Sequence, residues 1–267
     1  MTRTKKVPGR NEPCSCNSGL KYKYCCIGKR PQERRVQLKT ACNECGEQHE
    51  IDLTPDIFNH LASTNLPLHN FCKDQDLFYF GHATVLEHLE LMEALNAGTL
   101  TRERVIEVFR KNSTEEQALS LIQEAACWSP YFARRHGLLK EAVEVHFLGK
   151  YGAAIPALFA QIEGLLRDIG GLAPAEQVKP TIPREIWNAR LMFTVDDDVR
   201  YFNAFITRLF SGNQTQDEFG RNSVLHGLNT GYQSEDASLI LVLCVLKIRH
   251  FLWLQRHTHA LIRGAED

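Results

Sequence analysis

Residues 151–169 read YGAAIPALFAQIEGLLRDI, and this stretch decides the fold. Ile155, Leu158, Phe159, Ile162, Leu165 and Leu166 recur at three- and four-residue steps, which lines one face of a helix. Pro156 lies near the start, where a missing N–H does least harm, and Gly170 and Gly171 stop the run. The same period extends in both directions. Upstream, Val85, Leu86, Leu89, Met92 and Leu95 predict a helix closed by Gly98, and Val105, Ile106 and Phe109 predict a second. Ser113 or Thr114 starts a third, through Leu119, Ile122 and Ala126. Pro130 opens a long one carrying Leu138, Leu139, Ala142, Val143, Val145 and Phe147, closed by Gly149. Downstream, Asp196 to Asp198 can cap a helix carrying Phe202, Phe205, Ile206, Leu209 and Phe210. Thr215 and Glu218 have capping-box spacing for a short helix ending near Gly227, and Ser234 caps the last helix, 235–260. The expected fold is mainly α, an up-and-down helical bundle over 128–267 behind a helical connector over 81–127.

The first eighty residues differ. Residues 1–30 are basic, Cys-rich and short of large apolar side chains, so a metal must supply what a core cannot. Over residues 36–53, Val36, Leu38 and Thr40 alternate with longer polar residues. Cys42 and Cys45 then bracket a turn, and His49, Ile51 and Leu53 alternate again. This predicts a short β-hairpin with a cysteine knuckle, in a module spanning 31–80. Residues 55–72 fit neither period.

Net charge is −1, which hides an asymmetry. Residues 1–40 carry eleven Lys or Arg against Glu12 and Glu33, so the head is +9 before its thiols are counted and the rest is −10. A basic head on an acidic body points to an anionic partner, nucleic acid foremost, or else to a solvated tail. The start lacks the apolar core of a signal peptide, and no unbroken apolar run reaches membrane length; the longest, Leu239 to Leu246, is followed by Lys247 and Arg249. A cytoplasmic protein with no membrane association is expected. Nine cysteines in a reducing compartment favour metal ligation over disulfides, and seven precede residue 73. Cys127 and Cys244, alone in apolar stretches, are expected as small core residues.

Cys14-x-Cys16-x8-Cys25-Cys26 offers four soft ligands, which suits tetrahedral Zn²⁺. Asn17-Ser18-Gly19 forms the turn between the pairs, and Lys21, Lys23, Lys29 and Arg30 favour thiolates. The run Gly9-Arg10-Asn11-Glu12-Pro13-Cys14-Ser15-Cys16, then Ser18 to Lys23, then Cys25-Cys26, resembles the SEC-C motif over residues 8–28. Asn17 departs from the usual Gly but tolerates the left-handed backbone. In the secretion ATPase SecA that module contacts a chaperone and the ribosome, and elsewhere it is an appended adaptor. The resemblance therefore implies a docking module for RNA, a ribosome or a protein, and leaves the function of the whole chain open.

A second Zn²⁺ site has Cys42-x2-Cys45 as one half and His69-x2-Cys72 as the other, with His49 competing. The alternative is a hairpin with buried thiols and an exposed His69.

In the helical part, Arg221-Asn222-Ser223-Val224-Leu225-His226 places Asn222 and His226 on one helix face. Arg neutralises phosphoryl oxygens, Asn orients a hydroxyl, and His titrates near neutrality. A histidine at a helix end is also a common packing or capping residue. The stretch resembles the Arg-x4–6-His motif of HEPN domains. The order Gly149-Lys150-Tyr151, Ala154-Ile155, Gln161-Ile162-Glu163-Gly164, then Arg221-Asn222 and His226-Gly227, is similar to HEPN-like proteins of bacterial defence and toxin systems. The resemblance covers about 128–260. It implies a dimeric helical bundle and a metal-independent endoribonuclease that leaves a 2′,3′-cyclic phosphate. His226 would be the general acid or base, Arg221 would stabilise the transition state, and Asn222 would position the groups. Glu163 would orient Arg221 or His226, or be a structural acid paired with Arg167 or Arg221. The competing function is a non-catalytic adaptor whose bundle dimerises or binds a partner. No P-loop, Gly-rich dinucleotide turn or His-Glu-x-x-His occurs.

Overall fold

The computed structural model describes residues 10–12, 21, 23, 37–41, 48–52, 66–173, 181–182, 193–211 and 219–263. It divides into two compact units, 1–60 and 61–267.

In the first unit, β1 (Gln37–Ala41) pairs antiparallel with β2 (Gln48–Asp52), with Lys39 opposite Glu50 and Thr40 opposite His49. Cys42 and Cys45 fall between the strands, outside the described residues.

The second unit is mainly helical, with nine helices among the described residues: α1 (66–74), α2 (Val85–Asn96), α3 (Arg102–Lys111), α4 (Glu115–Trp128), α5 (Pro130–Phe147), α6 (Tyr151–Ile169), α7 (Phe193–Ser211), α8 (Arg221–Leu225) and α9 (Glu235–Arg263). Local chemistry sets the ends. Thr101 Oγ1 accepts from the Arg104 N–H, and Thr114 Oγ1 from the Gln117 N–H. Ser113 instead turns its hydroxyl to the Phe109 carbonyl. Ser234 Oγ accepts from the Ala237 N–H at the head of α9. Behind α6, Gly171 takes φ +62°. Its N–H reaches the Asp168 carbonyl and that of Leu172 the Arg167 carbonyl, a Schellman closure. Pro156 lies inside α6 rather than in its first turn, so no N–H is available to the Gly152 carbonyl; the Tyr232 hydroxyl donates there at 3.0 Å.

α6 is the central element. Ile155, Leu158, Phe159, Ile162, Leu165 and Leu166 are all fully buried. α5 packs against α4 and α6, α9 against α6, α4 and α5, and α8 against α6 and α7. α9 is long and apolar enough to cross a membrane over Glu235–Arg256, longer than the run Leu239 to Leu246 suggested, but 67% of its apolar 18-residue window is buried in the bundle.

Several expectations are corrected. α7 starts at Phe193, ahead of the acids expected to cap it. The short helix is Arg221–Leu225, with Gly220 as its N-cap; Thr215 and Glu218 lie outside the described residues. Residues 66–80, expected in the second zinc module, supply Leu68, Cys72 and Leu77–Phe80 to the helical core. Cys244 is buried as expected, but Cys127 is exposed. The stripe expected on α2 is turned outward at Val85, Leu86 and Leu89, while Leu91 is buried. The cause is Glu87, also buried. It accepts from Thr84, from Lys111 Nζ at 2.8 Å and from Asn112 Nδ2 at 2.7 Å, which fixes the rotation of α2. Lys111 first, then Thr84 and Asn112, hold the Glu87 carboxyl down to about 2.

Candidate functional site

α8 is one and a half turns long and is held by its own side chains. The Ser223 hydroxyl accepts from the Gly220 N–H at 3.2 Å and donates to the Gly220 carbonyl at 2.9 Å. The helix closes at His226, whose N–H donates to the Asn222 carbonyl, and Gly227 follows at φ +69°. Arg221 opens this helix and reaches back to α6. Its Nε lies 3.1 Å and its Nη2 3.0 Å from Glu163 Oε2, while Nη1 donates to Asn222 Oδ1 at 2.9 Å. Glu163 and Arg221 are 25% and 30% exposed, so the ion pair meets solvent. His226 is exposed. The structure therefore joins Glu163, Arg221 and Asn222, and sets His226 at the far end of the same short helix with an open imidazole. Glu163 takes Arg221 as partner; Arg167 turns to the Ala173 carbonyl at 2.6 Å. The short helix thus carries a fixed cation at its start and an exposed imidazole at its end, a group that can hold a phosphoryl oxygen and one that can move a proton.

Gly164 has its own reason. A Cβ there would come within 2.2 Å of Arg135 Nη1. The guanidinium lies across α6 at that point, bonded to Asp168 at 3.0 Å and Gln161 at 3.4 Å.

The proposed zinc ligands are placed unevenly. Cys14, Cys16, Cys25 and Cys26 lie outside the described residues, as do Cys42 and Cys45. The Lys23 N–H donates to the Arg10 carbonyl at 3.0 Å. Four thiols so closely spaced are a donor set that fits Zn²⁺. His69 and Cys72 lie on α1. Neither the metal expectation nor the exposed-His69 alternative anticipated this environment: His69 is 7% exposed, stacks on Tyr201 at 5.1 Å, and bonds through Nε2 to Asp198 Oδ1 at 2.9 Å. Cys72 is fully buried, and burial pushes its thiol up to about 12. Among the described residues no group of three or more metal-ligating side chains is gathered.

Asp198 also takes Lys247 Nζ at 2.5 Å, and Lys247 lies over the Phe78 and Phe251 rings. This cluster was missed in the sequence. Its signal is Lys247 itself, the first cation after the apolar run Leu239 to Leu246, whose burial demands an acid. Burial alone would raise the Asp198 carboxyl; Lys247 and then His69 overcome that and hold it at about 2.

The family model of the SEC-C motif matches residues 10–27. A 30-residue stretch is 60% identical to the protein translocase subunit SecA of a Nitratiruptor species, covering 11% of this chain and 4% of that protein. A 20-residue stretch is 80% identical to a UPF0225 protein of Sodalis glossinidius (strain morsitans), covering 8% of this chain and 13% of that one. No solved structure matches. The similarity is thus confined to short stretches, and residues 10–27, with all four head cysteines among them, carry the SEC-C motif.

Proposed function

We propose that this chain is a zinc-binding, HEPN-like endoribonuclease that needs no metal for chemistry, acting through Arg221, Asn222 and His226, with the SEC-C head as adaptor to RNA, a ribosome or a protein. The observation that carries it is the Glu163–Arg221–Asn222 cluster at the start of a short helix whose other end carries an exposed His226. His226 takes the proton from a ribose 2′-hydroxyl, whose oxygen attacks the adjacent phosphorus while the 5′-oxygen leaves. In the dimer that the HEPN resemblance implies, the second copy of the motif returns a proton to that oxygen. Arg221, aimed by Glu163, neutralises the phosphoryl oxygens as negative charge builds. Asn222, already bonded to Arg221, keeps the guanidinium in register. Zn²⁺ on Cys14, Cys16, Cys25 and Cys26 would fold the basic head and take no part in the reaction.

The same ion pair favours a second reading. Glu163 and Asn222 occupy three Arg221 nitrogens between them, so Arg221 also serves as a clamp between α6 and α8 in a non-catalytic adaptor.

The purified chain, incubated with mixed RNA in the absence of added metal, tests both. Cleavage leaving 2′,3′-cyclic phosphate ends, and reduced about 10²- to 10⁴-fold by His226→Ala, is expected. Cleavage that survives in that variant, or none by the wild type, overturns the nuclease assignment. Chelation should unfold the head and cost RNA or partner binding while the bundle keeps its melting temperature.

A further inference from the structure

We infer that a cavity between α3, α5, α6 and α9 binds a small organic cation that also carries an oxygen acceptor. Arg110, His146, Phe147, Tyr151, Glu235 and Leu239 line it, and none of Glu163, Arg221, Asn222 and His226 does. Its volume is about 220 Å³, so its occupant is smaller than those of the usual ~300–1,000 Å³ sites. Three rings gather on its wall. His146 meets Phe147 edge-on at 4.7 Å and Tyr151 at 5.6 Å, with the planes 50° apart in the second pair. Leu239, buried, adds an apolar contact. The faces of such rings are negative, and they attract a cation most strongly where water is partly excluded.

The charges point the same way. Arg110 Nε lies 3.3 Å from Glu235 Oε1, and the same guanidinium takes Asp236. One cation answers two carboxylates, so one negative charge is left over, and the neighbouring Lys111 is already taken by Glu87. Burial first and then Glu235 raise the Tyr151 hydroxyl above its ordinary value, with Arg110 opposing and Asp236 adding, so the phenol stands in that negative field. His146 adds no positive charge at neutral pH, because burial lowers it to about 4. It supplies a donor instead. The side chain is 5% exposed, with Nδ1 2.8 Å from Ser238 Oγ. Ser238 is fully buried and its hydroxyl has no other acceptor among the described residues, so it donates to Nδ1 and the ring N–H falls on Nε2. Nε2 has no partner among the described residues and belongs to a ring that lines the cavity. An unpartnered N–H on a buried wall calls for an oxygen acceptor. A cationic nitrogen against the rings and Glu235, with a hydroxyl or carbonyl a few bonds away, describes an amino alcohol or a choline-like head group.

Titration of the full chain with choline and with ethanolamine tests this, beside the neutral isostere of choline in which carbon replaces nitrogen. One saturable site per chain is expected for a cation, with the neutral isostere about tenfold weaker than choline. Glu235→Gln should weaken cation binding about fivefold or more and leave the isostere unchanged. Glu235 is exposed, so that variant should keep its melting temperature. Phe147→Leu, which removes a ring but keeps an apolar side chain, should also weaken the cation. Preference for choline identifies a quaternary ammonium and preference for ethanolamine a primary one, and either supports the inference. Failure of both cations, equal binding of choline and its isostere, or cation binding that both variants leave unchanged overturns it. None of these readouts involves RNA, so the nuclease assignment stands or falls separately.

Discussion

Two polar clusters cross the helical unit, and they are built for different ends. Asp198, His69 and Lys247 tie α7 to α1 and α9 with side chains 20%, 7% and 10% exposed, and aromatic rings close over the cation. Glu163, Arg221 and Asn222 tie α6 to α8 with a pair 25% and 30% exposed and an exposed histidine at the far end of α8. The first cluster has all its charge answered from inside. The second keeps a face toward solvent. A buried pair is costly to break because the surviving charge stays desolvated, whereas a half-exposed pair is rescued by water. Stability should therefore live in the first cluster and activity in the second.

The largest expected effect follows from Lys247→Ala. It strands Asp198 and should cost about 3–5 kcal/mol. In a unit of this size that is a melting temperature lower by roughly 6–20 °C, readable by circular dichroism. A fall under about 3 °C would break the contrast. Leu91→Ala in α2 should cost a similar amount, about 2–5 kcal/mol, because that leucine is 1% exposed.

Acid should act in two stages. Burial lowers His146 from 6.5 to about 4, and burial followed by Lys247 does the same to His250. Both stay neutral in the fold while the unfolded chain takes up protons, so stability falls as pH drops from 6.5 to about 4. Asp198 is shifted from 3.8 to about 2, so its contribution is kept above 3.8 and lost only as pH falls toward 2. A melting profile against pH that is flat between 7 and 4 would contradict the first stage.

The smallest effects belong to the outward stripe. Leu86→Ser and Cys127→Ser should each change stability by no more than about 0.5 kcal/mol, as both residues are exposed.

What the sequence revealed differs along the chain for physical reasons. α6 was legible because its period is uninterrupted and all six marked apolar residues are buried. α2 carries as clear a period, yet Glu87 overrides it through partners 24 and 25 residues away that no local pattern contains. Cys127 was misjudged for a related cause: an apolar neighbourhood in sequence does not say which side of α4 meets the core. In the candidate site, the Glu163–Arg221 contact was among the pairings foreseen, because Glu163 is an acid inside an apolar helix. The His69–Asp198–Lys247 cluster was not, since its members are spread over nearly 180 residues.

Glu163→Gln tests the central contrast most directly, measured at once for melting temperature and for RNA cleavage. A melting temperature within about 3 °C of wild type is expected, because an ion pair that meets solvent contributes about 1 kcal/mol or less. Cleavage should fall by at least about tenfold, because Arg221 loses the carboxylate that aims it. A large fall in melting temperature with cleavage per folded molecule unchanged would contradict it, and would make Glu163 and Arg221 a strut rather than a site.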